Sequence, residues 1–278
     1  LRFPFSYFLM PVYFFALSFV KEIDWIHAML SFFFIYLFLY PSSNGYNSYM
    51  DRDTESIGGV EKPMQPTTEL FYTTIAMDVS GILLSFFISW KFAVCFLVYI
   101  IFSRLYSYRG TRLKKFPVAG YLTVIINQGA LVFFMVYMAA NKNTDMVAPL
   151  NGMVAAAFVI GGFYPITQVY QHKADTNDGV ETISMLLGKK GTFVFCAVMY
   201  LVAFAILFFY FRSAGNLLPF IITQVFFVPV IIYFFMWMMQ VFKDGQAADF
   251  KRTMRMNMLA STCTNLAFIT LIIIKQIG

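Results

Sequence analysis

The chain has 278 residues, 60% of them hydrophobic and only 12% charged, with a mean hydropathy of +0.70. A soluble domain carries about twice that charged fraction, so a soluble core is excluded, and the continuous rather than alternating apolar runs exclude a β-barrel. The formal charge of +6 would suggest nucleic acid in a soluble chain; here it reads as membrane topology, and no nucleic-acid partner is expected.

Nine apolar runs predict membrane-spanning helices, at 3–20, 25–41, 70–89, 91–105, 118–140, 149–170, 192–211, 217–242 and 257–276. The fourth is short enough to merge with its neighbour. The first reads as a full span rather than a signal peptide. No soluble domain fits between the runs, so residues 1–278 form a single transmembrane domain. The expected fold is all-α and polytopic, with nine transmembrane helices around a central cavity. Cys95, Cys196 and Cys263 lie inside apolar runs without CxxC spacing and read as buried structural thiols.

The basic residues orient the bundle. Arg2 and the even-numbered connections hold fifteen of the twenty Lys and Arg, while Lys21, Lys91, Lys142, Arg212 and Lys275 lie on the other side. The positive-inside rule then places the N-terminus and the even loops in the cytoplasm and the C-terminus outside. A bacterial inner membrane is the expected location. The even loops are also longer and carry both signs of charge, so chemistry is expected on their face.

The first of them contains NSYMDRDTE, residues 47–55. Asn47, Asp51 and Glu55 are spaced i, i+4, i+8, which places them along one face if the helix continues. Such a row repels itself without a cation. Oxygen-only ligands suit a hard divalent ion such as Mg²⁺, which takes few carboxylates and leaves room for phosphate oxygens. A solvated acidic loop is the plain alternative. The second loop, YSYRGTRLKKFPVAG at 106–120, forms with Arg104 a cluster of five basic groups. It reads either as a positive-inside loop or as an anion clamp. In the third, Gln171 and Asp175 are again i, i+4, followed by Asp178 and Glu181, with His172 and Lys173 between. Two acidic helix ends converging on one cavity would hold metal ions across a diphosphate.

His27 beside Trp25 reads as an interfacial anchor, and it and His172 are too far apart in sequence to suggest zinc. Tyr49, Tyr106, Tyr108, Tyr164 and Tyr170 lie near the charged loops. They form an aromatic belt, or some line the cavity, where their π faces would stabilise a cation. Asn127 and Gln128 sit inside the fifth span and bond to neighbouring helices or contact an acceptor substrate. The acidic groups are read as lying at loop ends on one side, unlike the mid-membrane carboxylates of transporters.

Together these residues resemble the UbiA superfamily of intramembrane prenyltransferases over essentially the whole chain. The family's first motif, NDxxDxxxD, is matched at Asn47 and Asp51, with Ser48 in place of an Asp and Glu55 standing for the last; Lys62-Pro63 resembles the Arg-Pro pair that follows. Tyr106, Ser107, Arg112 and Lys114 resemble the family's Tyr-Ser and Arg-Leu-Lys loop. The second motif, DxxxD followed by Gly, Thr and Leu-Gly, is matched by Asp175, Gly179, Thr182, Leu187 and Gly188, with Gln171 in place of the first Asp.

The resemblance implies Mg²⁺-dependent ionisation of an isoprenoid diphosphate and capture of the allylic cation by a lipophilic, often aromatic, acceptor within the bilayer. It implies a first metal site at Asn47, Asp51 and Glu55 and a second at Asp175 with Asp178 or Gln171. Lys62, Arg112, Lys114 and Lys173 would hold the diphosphate, and Tyr106, Tyr108, Asn127 and Tyr164 the cation or acceptor. The altered second motif keeps open a terpene cyclase of the same superfamily or a non-catalytic binding protein; a transporter is the rival from another class.

Overall fold

The computed structural model describes residues 1–143, 147 and 149–277. Among them the regular structure is helical. In chain order the helices are α1 (Phe3–Phe19), α2 (Trp25–Asp51), α3 (Thr68–Ser85), α4 (Trp90–Ser107), α5 (Pro117–Ala140), α6 (Leu150–Ile166), the short α7 (His172–Asn177), α8 (Ile183–Ser213), α9 (Leu218–Lys243) and α10 (Phe250–Ile277). α2, α4, α5, α8, α9 and α10 are each long and apolar enough to cross a membrane. Each expected span falls on one of the helices, and the short fourth span does not merge with the third. Phe86–Ile88 turn there, and the Ser89 hydroxyl caps α4 by accepting from Phe92 N at 3.1 Å.

Local chemistry sets the other ends. Asp24 caps α2, accepting from the amides of Ile26 and His27 at 3.0 and 3.2 Å, and its second oxygen meets His27 Nδ1 at 2.7 Å. The expected anchor His27 is therefore partnered to the cap. Pro41 lies inside α2 and has no N–H for the ladder; the turns just before it widen to π-helix at Ile35–Leu39. A second π segment, Ile125–Leu131, interrupts α5. Within it Gly129 lies so close to α6 that an added Cβ would be 2.6 Å from the Ala157 Cα, the small-residue contact that lets membrane helices touch. The stretch assigned to α8 bends at Gly188, where φ is 67° and ψ 166°. Its membrane portion follows that bend, in line with the span read at 192–211.

The packing is that of a protein in lipid. One apolar core joins α1, α2, α4, α5 and α6 with Leu207 of α8 and Phe268, Leu271 and Ile272 of α10, and a second joins α8, α9 and α10 with Ile166 of α6 around Phe193 and Trp237. Outward faces are apolar as well: Ile221, Val225, Val228, Ile232, Met236 and Met239 of α9 are all exposed. Water would penalise such a face; hydrocarbon does not. Cys196 is buried, Cys95 and Cys263 are half-buried, and all three are free thiols.

One carboxylate inside an expected span departs from the sequence reading. Asp78 is within α3, and it is ion-paired with Arg104 of α4. Ser42 and Thr74 also contact the guanidinium, which lies 3.8 Å from the centre of the Tyr46 ring. Pairing removes the cost of an isolated, largely buried charge. It also removes Arg104 from the basic cluster of the second loop.

Candidate functional site

The connections 52–67, 108–116 and 167–182 meet at one end of the bundle, over a cavity. The ends of α2, α4 and α6 wall it, with α5, α7 and the first residues of the chain. Asn47, Asp51, Asp53, Glu55, Tyr106, Lys114, Asn127, Tyr164, Gln168, Gln171 and Asp175 all line it, together with Arg2.

Asp51 is the centre of the polar network. Its side chain is 5% exposed and lies 2.5 Å from Lys114 Nζ and 3.7 Å from the Arg112 guanidinium. Asn47, one turn earlier on α2, donates from Nδ2 to Asp51 Oδ2 at 2.8 Å and to Ser107 Oγ at 3.1 Å. The expected helical row stops there. Arg52 takes φ 54°, ψ 41° and ends α2, so Glu55 reaches the cavity rim from a loop, exposed, and not from the face of Asn47 and Asp51. Asp53 enters the cavity in the same turn. Burial and the neighbouring Asp51 raise its pKa above the ordinary carboxylate value.

Asp175 faces this group from α7. It follows Gln171 by one turn, with its amide bonded to the Gln171 carbonyl at 2.9 Å. Burial raises its pKa from 3.8 to about 7; Lys114 opposes the shift, and Asp53, Asp51 and Asp178 add to it. Its Oδ2 is buried without a hydrogen-bond partner. Gln171 also lines the cavity, but its amide is directed to the Tyr170 hydroxyl at 3.2 Å.

Deeper in the cavity the walls are neutral and polar. The Tyr106 and Tyr164 hydroxyls are 2.5 Å apart, and Gln168 Nε2 donates to Tyr164 at 2.8 Å. Asn127 is buried here in the π segment of α5. Below the charged mouth, then, is a hydrogen-bonding chamber inside an apolar bundle.

Several expected residues lie elsewhere. Lys62 and Lys173 are exposed and outside the cavity lining, and Tyr108 is 51% exposed on the second loop. Asp178 does not line the cavity. It is ion-paired with Arg112, whose other terminal nitrogen donates to its carbonyl at 3.1 Å, and lies 3.7 Å from Arg109. This pair ties the second loop to the third across the mouth. His172 bonds Ser184 Oγ at 2.8 Å, and burial, with Lys189 nearby, lowers its pKa. Arg2, Asp53 and Gln168 are site residues that the sequence reading does not single out. In the sequence Arg2 reads only as a topology charge, and Asp53 is off the i, i+4 spacing, although its place in the acidic run is a usable signal.

The comparisons with known proteins bear on this geometry. The UbiA prenyltransferase family matches residues 8–259. A UbiA homolog from Archaeoglobus fulgidus, solved bound to GPP and Mg²⁺, superposes with a TM-score of 0.72 at 17% identity, covering 98% of each chain. The apo structure of a UbiA homolog from Aeropyrum pernix K1 gives 0.73 at 16% identity over 99% of each chain. A digeranylgeranylglyceryl phosphate synthase gives 0.62 at 21%, covering 97% of this chain and 93% of that one. At these identities the structures establish the fold. Comparison with curated proteins gives no match. With the family matched over most of its length, and its motif carboxylates gathered at one cavity in an apolar helical bundle, this chain belongs to the UbiA prenyltransferase family and is an integral membrane prenyltransferase.

Proposed function

We propose that the protein binds an isoprenoid diphosphate with Mg²⁺ at the mouth of the cavity and transfers the prenyl group to a lipophilic acceptor held in the chamber below. The observation that carries this reading is the charge balance of the lining. Among the described residues Asp51, Asp53, Glu55 and Asp175 outnumber the two cations of the lining, Lys114 and Arg2, and Arg112, 3.7 Å from Asp51, is itself paired with Asp178. A diphosphate alone would be repelled, so divalent cations have to accompany it.

The residues fit Mg²⁺. Carboxylates stand on two opposed loop ends, and the buried Asp175 Oδ2 has no partner. No three His, Cys, Asp or Glu among the described residues form a ready cage, which suits an ion that completes its shell with substrate phosphates and water. Asp51 and Asp175 would hold it, with Asp53 and Glu55 at the rim and Asn47 orienting Asp51. The bound ion would stabilise negative charge on the departing oxygens.

This chain's own groups do the rest. Lys114 binds a diphosphate oxygen after exchanging its contact with Asp51, and Arg112, with Asp178, holds the second loop over the mouth. The C1–O bond of the prenyl diphosphate breaks, and its electron pair leaves with diphosphate. The allylic cation then meets the π faces of Tyr106 and Tyr164 in a chamber that keeps bulk water out. Asn127 and Gln168 orient the acceptor, whose nucleophilic carbon or oxygen forms the new bond and then loses a proton. Nine crossings with the cavity mouth in the cytoplasm, in a bacterial inner membrane, complete the reading; the basic-residue asymmetry supports that orientation. Asp78 does not favour a transport pathway, because Arg104 neutralises it.

The test is diphosphate release by the detergent-purified protein from radiolabelled farnesyl or geranylgeranyl diphosphate, with and without Mg²⁺ and a lipid extract of the producing cells. Mg²⁺-dependent release that grows with extract, and is lost in Asp51→Ala of unchanged fold, is the expected result. Release without extract, with a hydrocarbon or alcohol product, would establish a cyclase, and an active Asp51→Ala would refute the metal assignment.

A further inference from the structure

Asp175 is carried into the cavity by a very short element. α7 has six residues, and none of them is buried. So short a helix does not hold by propensity; contacts with the rest of the chain have to place it. Val169 and Val180 are buried on either side and hold the ends of the connection. Just past the helix, Asp178 is ion-paired with Arg112 of the second loop. At its start, His172 Nε2 meets Ser184 Oγ of α8 at 2.8 Å. Asp175 stands between these two tethers, and its Oδ2 has no hydrogen-bond partner to direct it. Its place therefore depends on how α7 is held.

The His172 tether continues into a kink. α8 bends at Gly188, where φ is 67°, a backbone that favours glycine. Ser184 precedes the bend, Thr192 follows it, and both are fully buried. Their hydroxyls are 3.0 Å apart. Thr192 Oγ1 donates to the Gly188 carbonyl at 2.8 Å, with the Ser184 carbonyl at 3.2 Å. Each hydroxyl has one proton to give. Thr192 spends its own on a carbonyl, so it accepts from Ser184; Ser184, its proton spent in turn, accepts from His172 Nε2. The chain runs in one direction, from the imidazole through two hydroxyls to the kink. Lys189 Nζ donates to the Gly245 carbonyl at 2.9 Å and braces the same bend against the α9–α10 turn. His172 thus ties α7 to a rigid point.

We propose that His172 is a positioning residue for prenyl transfer: its bond to Ser184 fixes α7 against α8 and so sets where Asp175 stands to receive a divalent ion with the diphosphate. The inference rests on the prenyl-transfer reading. Neither His172 nor Ser184 lines the cavity, so the pair touches no substrate and acts through Asp175, three residues further along α7. Without that bond the helix keeps only the Asp178 tether, and Asp175 is free to swing from the cavity wall.

The experiment compares wild type, His172→Leu, His172→Gln, Ser184→Ala and the double variant of His172→Leu with Ser184→Ala, all purified in detergent. Mn²⁺ stands in for Mg²⁺, and its binding with inorganic pyrophosphate is titrated by electron paramagnetic resonance. Diphosphate release from farnesyl diphosphate is followed in parallel against Mg²⁺ concentration. His172→Leu and Ser184→Ala should each weaken Mn²⁺ binding about 10-fold, the scale of losing a group that orients a metal ligand. The Mg²⁺ needed for half-maximal release should rise by the same factor, with the maximal rate kept within about threefold. Gln carries an N–H donor the same number of bonds from the backbone, so His172→Gln should restore most of the loss. The double variant should be no worse than either single one, because both remove the same bond. Ser184→Ala alone carries the test if His172→Leu does not fold. Unchanged Mn²⁺ affinity in folded variants overturns the proposal, whatever happens to the thermal midpoint, since a merely structural bond changes stability alone. Failure of the wild type to bind Mn²⁺ with pyrophosphate overturns the functional reading itself, a separate result.

Discussion

Replacing Asp175 with Asn should stabilise the metal-free protein while disabling it. Burial raises the Asp175 pKa from 3.8 to about 7 in the folded chain. Below the lower value both folded and unfolded states hold the proton, and the carboxyl costs nothing. As the pH rises between the two, the unfolded chain ionises first and the folded state loses stability, until the penalty levels off above about pH 7. At 1.36 kcal/mol per unit the full penalty is about 4 kcal/mol, of which about 3 kcal/mol develops between about pH 5 and about pH 8. Asn has the same shape and no charge to desolvate. For a chain of this size the difference corresponds to about 6–10 °C in thermal midpoint. The assay is thermal unfolding in detergent at both pH values, monitored by thiol labelling of the buried Cys196. Asp175→Asn should exceed the wild type by several degrees more at the higher pH than at the lower. Added Mg²⁺ and pyrophosphate should raise the wild type and leave the variant nearly unmoved, since only a state that binds ligand is stabilised by it. An equal shift at both pH values, or a lower midpoint for the variant at the higher one, would refute the argument that this carboxylate is kept buried and unpaired for a ligand.

Further outcomes follow from where the charges sit. Lys62→Ala and Lys173→Ala should retain turnover within about threefold of wild type in the diphosphate-release assay, because both side chains are exposed and outside the cavity, and surface charges contribute little. Lys114→Met should lose both turnover and stability, since it leaves Asp51 buried with a weaker partner; breaking a buried pair costs about 3–5 kcal/mol, which thermal unfolding reads directly. Arg104→Leu alone should destabilise by a similar route, whereas the double change Asp78→Leu with Arg104→Leu should recover most of that loss. A double variant no better than the single one would mean that the pair is not the unit holding α3 to α4.

The sequence exposed the parts of this site that are local. Asn47 and Asp51 share a helix face, Gln171 and Asp175 are one turn apart, and both sets lie at loop ends between long apolar runs; periodicity and hydropathy are enough to find them. The i, i+4, i+8 spacing misplaces Glu55 because the helix ends at Arg52, in a left-handed conformation with neither Gly nor Pro to announce it. Asp78 is hard to see in the sequence because one carboxylate in an apolar run barely alters its average, while its partner Arg104 reads as a loop charge. Arg2 was hidden for a related reason: its contact with Asn47 spans 45 residues, and a cation near the membrane surface satisfies the positive-inside rule whether or not it does anything else. Lys62, Lys114 and Arg2 obey that rule equally. One is in solvent, one neutralises a carboxylate and one donates to the Asn47 side chain. Topology rules fix which side of the membrane a charge occupies and are silent on its partner, and it is the partner that decides whether the charge is free to receive a substrate.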